Sequence, residues 1–282
     1  MIRKFFRAGL AFCLGGLVLT GSQPALANVE AAGSPLVAST LRQWGVEFTR
    51  ASGIRTSYVN SLEDVSTTEL FVGIYDLAVV EFPVAEFRLN KLGLLQFPLF
   101  GFGVAVVANV PGLPSESLRF NGNVLAAIYM GQITHWDDPK IAALNPGINL
   151  PHLAIVPVAQ SDGSITTLNF TRYLAAGSAS WRQKVGIGSG LIWPLGDGEK
   201  DSVAAAQTLK ATDGAIGFQP MMNLARFDLG ATQLQNEQGD YVTITSDRVA
   251  QTFRAFVSHK RPDLIAPVNV PGSGLWPILA VV

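Results

Sequence analysis

The segment Gln160-Ser161-Asp162-Gly163-Ser164-Ile165-Thr166 is the part of this chain best suited to hold a ligand. It joins an apolar strand pattern, Leu153 to Val158, to a helical pattern, Thr166 to Ala175, so that backbone N–H groups and the hydroxyls of Ser164, Thr166 and Thr167 gather at a helix start. Unpaired amides and the positive end of the helix dipole at such a start favour an anion. An ordinary N-cap by Asp162 or Ser164 is the competing reading, because either side chain can accept from the same amides. Gly33-Ser34-Pro35-Leu36 is a second helix start of the same kind. Two such starts, offered by two α/β lobes, could converge on one anion across a cleft.

The residues give little support to catalysis. His135, His152 and His259 lie far apart in different local contexts, with no H-x-x-x-H or H-E-x-x-H spacing to hold zinc, and each reads as a surface or turn histidine. There is neither a G-x-S-x-G nucleophile elbow nor a G-x-x-x-x-G-K-[ST] phosphate loop. Gly186-Ile187-Gly188-Ser189-Gly190 follows no clear strand and runs into Trp193-Pro194, so it reads as a turn; Asp137-Asp138 ahead of Pro139 reads as a helix start. The single cysteine, Cys13, excludes an intramolecular disulfide and a multi-cysteine metal site. The expectation is a binding protein without metal or cofactor.

The elements that must position the two helix starts follow from periodicity. Leu36, Thr40, Leu41, Trp44 and Phe48 fall at helical spacing behind Ser34-Pro35, an N-cap and first-turn pair. Arg55 to Val59 and Asp76 to Val80 read as strands, Leu77 to Val80 as a buried one. Leu92 to Val110 is apolar enough to suggest a membrane span, but Gln96, Pro98, Gly101, Gly103 and Asn109 interrupt it and Val104 to Val107 is rich in β-branched residues, so a buried strand is expected. Asn123 to Gly131 and Val203 to Lys210 read as helices, Ala215 to Phe218 as a strand, Gln233 to Asp240 as an exposed polar loop and Asp247 to Ser258 as an amphipathic helix. Strand, helix, strand alternation of this kind belongs to α/β folds with a mainly parallel sheet.

Composition sets the outer bounds. The 282 residues carry 20 basic and 21 acidic side chains, with 15% charged and 48% hydrophobic residues, which excludes disorder. A net charge of −1 argues against a nucleic-acid partner. Arg3, Lys4 and Arg7, the apolar stretch Ala8 to Thr20 and Ala25-Leu26-Ala27 form an export signal cut after Ala27, the apolar run falling short of the ~20 residues that span a bilayer. Removing those three cations takes the exported chain, which then lacks cysteine, from −1 to −4.

A longer set of ordered motifs resembles the periplasmic phosphate-binding proteins of ABC importers, from about Ala32 to Ile278. It comprises Leu95-Gln96-Phe97-Pro98, Gly103-Val104-Ala105, Asn109-Val110-Pro111-Gly112-Leu113 and Ile128 to Asp138. Leu144-Asn145-Pro146-Gly147, Asp162-Gly163-Ser164, Phe170-Thr171 with Tyr173-Leu174, Gly214 to Phe218 and Trp276-Pro277-Ile278 complete it. The resemblance implies a two-lobed α/β fold of the type II-like periplasmic-binding-protein class, with residues 28–104 plus 266–282 in lobe one and 105–265 in lobe two. It further implies a periplasmic, monomeric solute-binding protein that holds phosphate or a related oxyanion for an ABC permease and ATPase.

Carried over residue by residue, the family's ligand set falls on Ser34, Leu36, Glu81, Gln160, Ser164, Ile165 and Thr166. Ser164 and Thr166 stand as in the family; Ile165 replaces its glycine, Glu81 its aspartate and Gln160 its arginine. A carboxylate at Glu81 only accepts hydrogen bonds and so favours an anion that still carries a proton over sulfate. The family's serine turn appears as Ser61-Leu62-Glu63-Asp64-Val65-Ser66, which brings two carboxylates to the approach. Removing the cation from a buried ion pair costs about 3–5 kcal/mol, roughly 10² to 10³·⁵ in affinity. The resemblance therefore implies either a weakened anion site or an exported accessory protein of the same fold that no longer binds phosphate. The family's chains continue with several helices past the Trp-Pro-Ile strand, so the present one is expected either to lack lobe-one covering helices or to derive from a truncated gene.

Overall fold

The computed structural model describes residues 28–195, 198–258 and 268–282. The expected export signal with Cys13, and His259, lie outside the described residues.

Along the chain run β1 (Asn28–Gly33), α1 (Ala38–Ser52), β2 (Arg55–Asn60), α2 (Glu63–Phe71), β3 (Leu77–Val79), α3 (Glu86–Leu92) and β4 (Gly101–Asn109). Then come β5 (Arg119–Phe120), α4 (Gly122–Tyr129), α5 (Pro139–Leu144), β6 (Val156–Val158), α6 (Ile165–Gly177) and α7 (Ala179–Lys184). The remainder is α8 (Ser202–Ala211), β7 (Ala215–Pro220), α9 (Met222–Phe227), β8 (Gln233–Gln235), β9 (Tyr241–Val242), α10 (Ser246–Ser258) and β10 (Leu279–Val281).

The first sheet is wholly parallel, in the order β2-β1-β3, with Ala31 opposite both Tyr58 and Leu77. Its first helix enters through a single 3₁₀ turn, Pro35–Val37, capped by Ser34, whose Oγ accepts from the Leu36 amide. Pro35 has no N–H to leave unsatisfied in that first turn, and the regular helix follows from Ala38. The second sheet is mixed, in the order β10-β4-β7-β6. Here β4 is the long central strand: residues 102–108 are buried without a break, and it pairs antiparallel with β7 through Val104 to Asn109 and with β10 through Gly101 to Gly103. That is the expected buried strand in place of a membrane helix. Among the described residues no helix is long and apolar enough to cross a membrane.

The core gathers on this second sheet. Phe170 stacks on Phe218 at 4.2 Å, Tyr129 meets Phe170 edge-on at 5.2 Å, and the indoles of Trp136 and Trp276 donate to the Gly214 and Val104 carbonyls. Helices α4 and α6 meet at a glycine pair, where a Cβ on Gly177 would lie 2.7 Å from the Gly122 Cα.

Two expectations need correction. Gln233 to Asp240 is not simply an exposed loop: β8 pairs parallel with β5 and antiparallel with β9, and alternation turns Leu234 into the core while Gln233 and Gln235 face outward. Leu77 to Val80 is not buried throughout. As the edge strand of a thin sheet β3 buries only Val79, and Leu77 is 51% exposed.

Candidate functional site

Parallel α/β sheets present ligands to the carboxyl ends of their strands, because the helices that follow start there. Here β1 ends into Ser34, β2 into Ser61 and Glu63, and β3 into Glu81. These residues form one wall of a cleft of about 740 Å³. The other wall comes from the second sheet: Asp162, Gly163 and Ser164 between β6 and α6, Asp201 and Ser202 at the start of α8, and Met222, Asn223 and Arg226 on α9.

Ser34, only 5% exposed, accepts from the Leu36 amide and donates its hydroxyl to Glu81 Oε1 at 2.7 Å. The Tyr58 hydroxyl donates to the Ser34 carbonyl at 2.8 Å. Burial pushes the Tyr58 phenol up to about 12, with the Glu81 carboxylate adding to the rise and the Arg42 guanidinium opposing it, so this donor stays neutral. Across the cleft, Ser164 caps α6 by accepting from the Thr167 amide, while its own amide donates to Asp162 Oδ1. Glu81 joins the two walls: its Oε2 accepts from the Ile165 amide at 3.0 Å. The backbone N–H of Glu81 donates to Glu63 Oε2 at 3.2 Å. Burial raises the Glu63 carboxyl above the usual carboxylate range; the Glu81 charge adds to this and the Glu81 amide opposes it.

Of the residues expected at the site, Ser34, Leu36, Glu81 and Ser164 line the cleft. Gln160, Ile165 and Thr166 are 1% exposed and do not line it. Gln160 Nε2 donates to the Phe218 carbonyl at 2.7 Å and the Trp193 indole donates to the Gln160 carbonyl, so this residue ties the loop after β6 to β7. Gln160 Oε1 and Thr166 Oγ1 have no hydrogen-bond partner among the described residues. Of the two carboxylates expected at the approach, Glu63 lines the cleft and Asp64 does not.

Two cations escaped the sequence reading. Arg42, on the same face of α1 as Ala38, is held by the Tyr58 carbonyl and Asn60 Oδ1; Arg226 comes from α9 and lies over the Phe227 ring. No ion pair to either is present among the described residues. Helical spacing from Ser34 could have pointed to Arg42, whereas Arg226 enters from a segment with no local signal. The histidines also differ from their reading as separate surface groups. A bridge between His135 and Ala154 brings His135 and His152 into a stack with centroids 4.6 Å apart, and His152 Nδ1 lies 2.8 Å from Asp137 Oδ2. Among the described residues no group of three or more His, Cys, Asp or Glu side chains is arranged to hold a metal ion.

The superfamily profile of the PBP domain matches residues 19–268. The phosphate-binding protein PstS of Xylella fastidiosa (strain Temecula1) is 32% identical over 254 residues, covering 90% of this chain and 70% of its own. Among solved structures, the high-affinity periplasmic phosphate-binding protein PfluDING, bound with phosphate, superposes with a TM-score of 0.56 at 18% identity, covering 90% of this chain and 78% of its own. An ABC-type phosphate transport receptor from Vibrio cholerae does so with a TM-score of 0.51 at 18% identity, covering 80% and 82%. These structural likenesses bear on the fold, a two-lobed mixed α/β architecture, and the family assignment rests on the sequence matches. The chain belongs to the PBP superfamily and, within it, to the PstS-like periplasmic phosphate-binding family.

Proposed function

We propose that the exported chain is a non-enzymatic solute-binding protein that holds phosphate or a related oxyanion weakly in the cleft between its lobes, for delivery to an ABC permease and ATPase. The observation that carries this reading is the meeting of two helix starts, at Ser34 and at Ser164, on one cleft. Hydroxyls and amides at such starts hold an anion without a full counter-charge. Arg42 and Arg226 supply cationic charge that the family arginine, here Gln160, would have brought. The weakness follows from four carboxylates, Glu63, Glu81, Asp162 and Asp201, on the same walls.

The lobe division that goes with this reading is 28–104 plus 266–282 against 105–265. In the sheets, β10 and the first residues of β4 pair with each other at one edge of the sheet they share with β7, and residues 28–79 supply the first, parallel sheet. Export through residues 1–27, cleavage after Ala27 and a monomeric state belong to the same proposal. The excess of carboxylates favours a second reading, an exported accessory or interaction protein that keeps the fold but binds no small oxyanion.

Isothermal titration of residues 28–282 with phosphate and with sulfate at low salt tests the first reading. A dissociation constant tighter than about 10 μM would overturn the weakened-site form of it. Deletion of the gene separates the two readings: lowered phosphate uptake supports transport, and unchanged uptake supports the accessory role.

A further inference from the structure

In its hydrogen bonds Glu81 behaves less like a lining residue than like a ligand. Its Oε1 takes the Ser34 hydroxyl, which is itself aimed by the Leu36 amide at the first helix start. Its Oε2 takes the amide of Ile165, the first residue of the 13-residue helix α6. Each helix start thus spends a donor on one carboxylate, and the two starts belong to walls built from different sheets. A negatively charged group accepting from donors on both sides is the arrangement expected of a bound oxyanion, and here the chain itself provides the group. The Glu81 amide, donating to Glu63 Oε2, anchors the backbone from which the carboxylate extends.

We propose that the Glu81 carboxylate is a built-in occupant of the oxyanion donors, clasping the two walls together, so that an incoming anion must displace it or bind beside it. This rests on the oxyanion reading for its consequence in binding, but not for the clasp itself. Two effects follow from the geometry. Removing the carboxylate frees the Ser34 hydroxyl and the Ile165 amide and deletes a repelling charge, so oxyanions bind more tightly. Sulfate gains more than phosphate, because hydrogen phosphate can donate its proton to the Glu81 carboxylate and loses that acceptor when it is removed, whereas sulfate has no proton to donate. If Glu81 served only as an acceptor for the ligand's proton, its removal would weaken phosphate binding instead.

The test compares residues 28–282 with the Glu81→Ala, Glu81→Gln and Glu81→Asp variants by two measurements. Titration with phosphate and sulfate reads the donors: the expected result is at least about a fivefold gain for phosphate and a larger one for sulfate in Glu81→Ala, a smaller gain for both in Glu81→Gln, and wild-type order in Glu81→Asp. Amide hydrogen exchange without added anion reads the clasp: the Ile165 amide should exchange faster in Glu81→Ala than in the wild type while the core strand β4 stays equally protected. Weaker or unchanged phosphate binding in Glu81→Ala overturns the occupant role, and unchanged Ile165 exchange overturns the clasp. If no variant binds either ion, the oxyanion reading falls and the exchange result alone decides the clasp. Loss of protection in β4 would report a fold defect, in which case Glu81→Gln, the nearest in shape, decides between the same outcomes.

Discussion

Six ionisable side chains reach the cleft, and their balance sets what it can hold: Glu63, Glu81, Asp162 and Asp201 against Arg42 and Arg226. Neither guanidinium is ion-paired among the described residues, so both keep a charge to offer an incoming anion. Arg226→Gln and Arg42→Gln should each weaken phosphate binding by roughly 5- to 30-fold, the equivalent of about 1–2 kcal/mol for a charge-assisted hydrogen bond. Titration at two ionic strengths checks this, since the lost contribution should shrink as salt screens the cleft. Arg42 also braces β2 through Tyr58 and Asn60, so its variant should lower stability slightly as well. Glu63 gives a pH prediction. Its carboxyl is raised in the fold, chiefly by burial, so the folded state prefers it protonated. Its ionisation therefore costs stability, a cost absent below the unfolded pKa and developing as pH rises through the folded one. Glu63→Gln keeps an acceptor for the Glu81 amide and should raise the melting temperature at pH 7 by up to about 2–4 °C, with the gain fading below about pH 4. Thermal denaturation across that range is the check.

At the scale of elements, the cleft exists because three parallel strands stop together. Gly33 is the position where this is tightest. It closes β1 at φ 143°, and an added Cβ would overlap the Val79 carbonyl oxygen, the same oxygen that accepts from the Ser34 amide. Gly33→Ala should therefore push β1 away from β3, lower the melting temperature by roughly 4 °C or more and move Ser34 off the cleft, a combined loss visible by calorimetry with and without phosphate. Several elements were legible from the chain because their causes are local. Val104 to Val107 announces a buried strand, Ser164 and Ser34 announce helix starts, and both are found there. Others were not. Asn28 to Gly33 is built from residues with little strand preference, yet it is the central strand of its sheet because β2 and β3 hold it on both sides. In α2, Val65, Leu70 and Phe71 mark no single face, so its helical period is faint. The family resemblance puts Gln160 at the anion; its partners, Phe218 and Trp193, lie on other segments and leave no trace in local sequence.

Across the whole molecule the two walls of the cleft differ in how firmly they are held. Between residues 28 and 100 the buried hydrophobics are Ala32, Val37, Ala38 and Val79, and large side chains such as Phe87, Leu95 and Phe97 stay more than half exposed. Around β4 the core includes Trp136, Trp181 and Trp276, all fully buried. The wall that carries Ser34 and Glu81 is thus the softer one, and the Glu81 to Ile165 hydrogen bond fastens it to the firmer one. The central claim, that this cleft takes an oxyanion, is most directly tested by calorimetric titration of residues 28–282 at low salt. We expect saturable one-to-one binding of phosphate with a dissociation constant between about 10 μM and 1 mM, and weaker binding of sulfate. The absence of saturable heat for phosphate up to about 10 mM would contradict it.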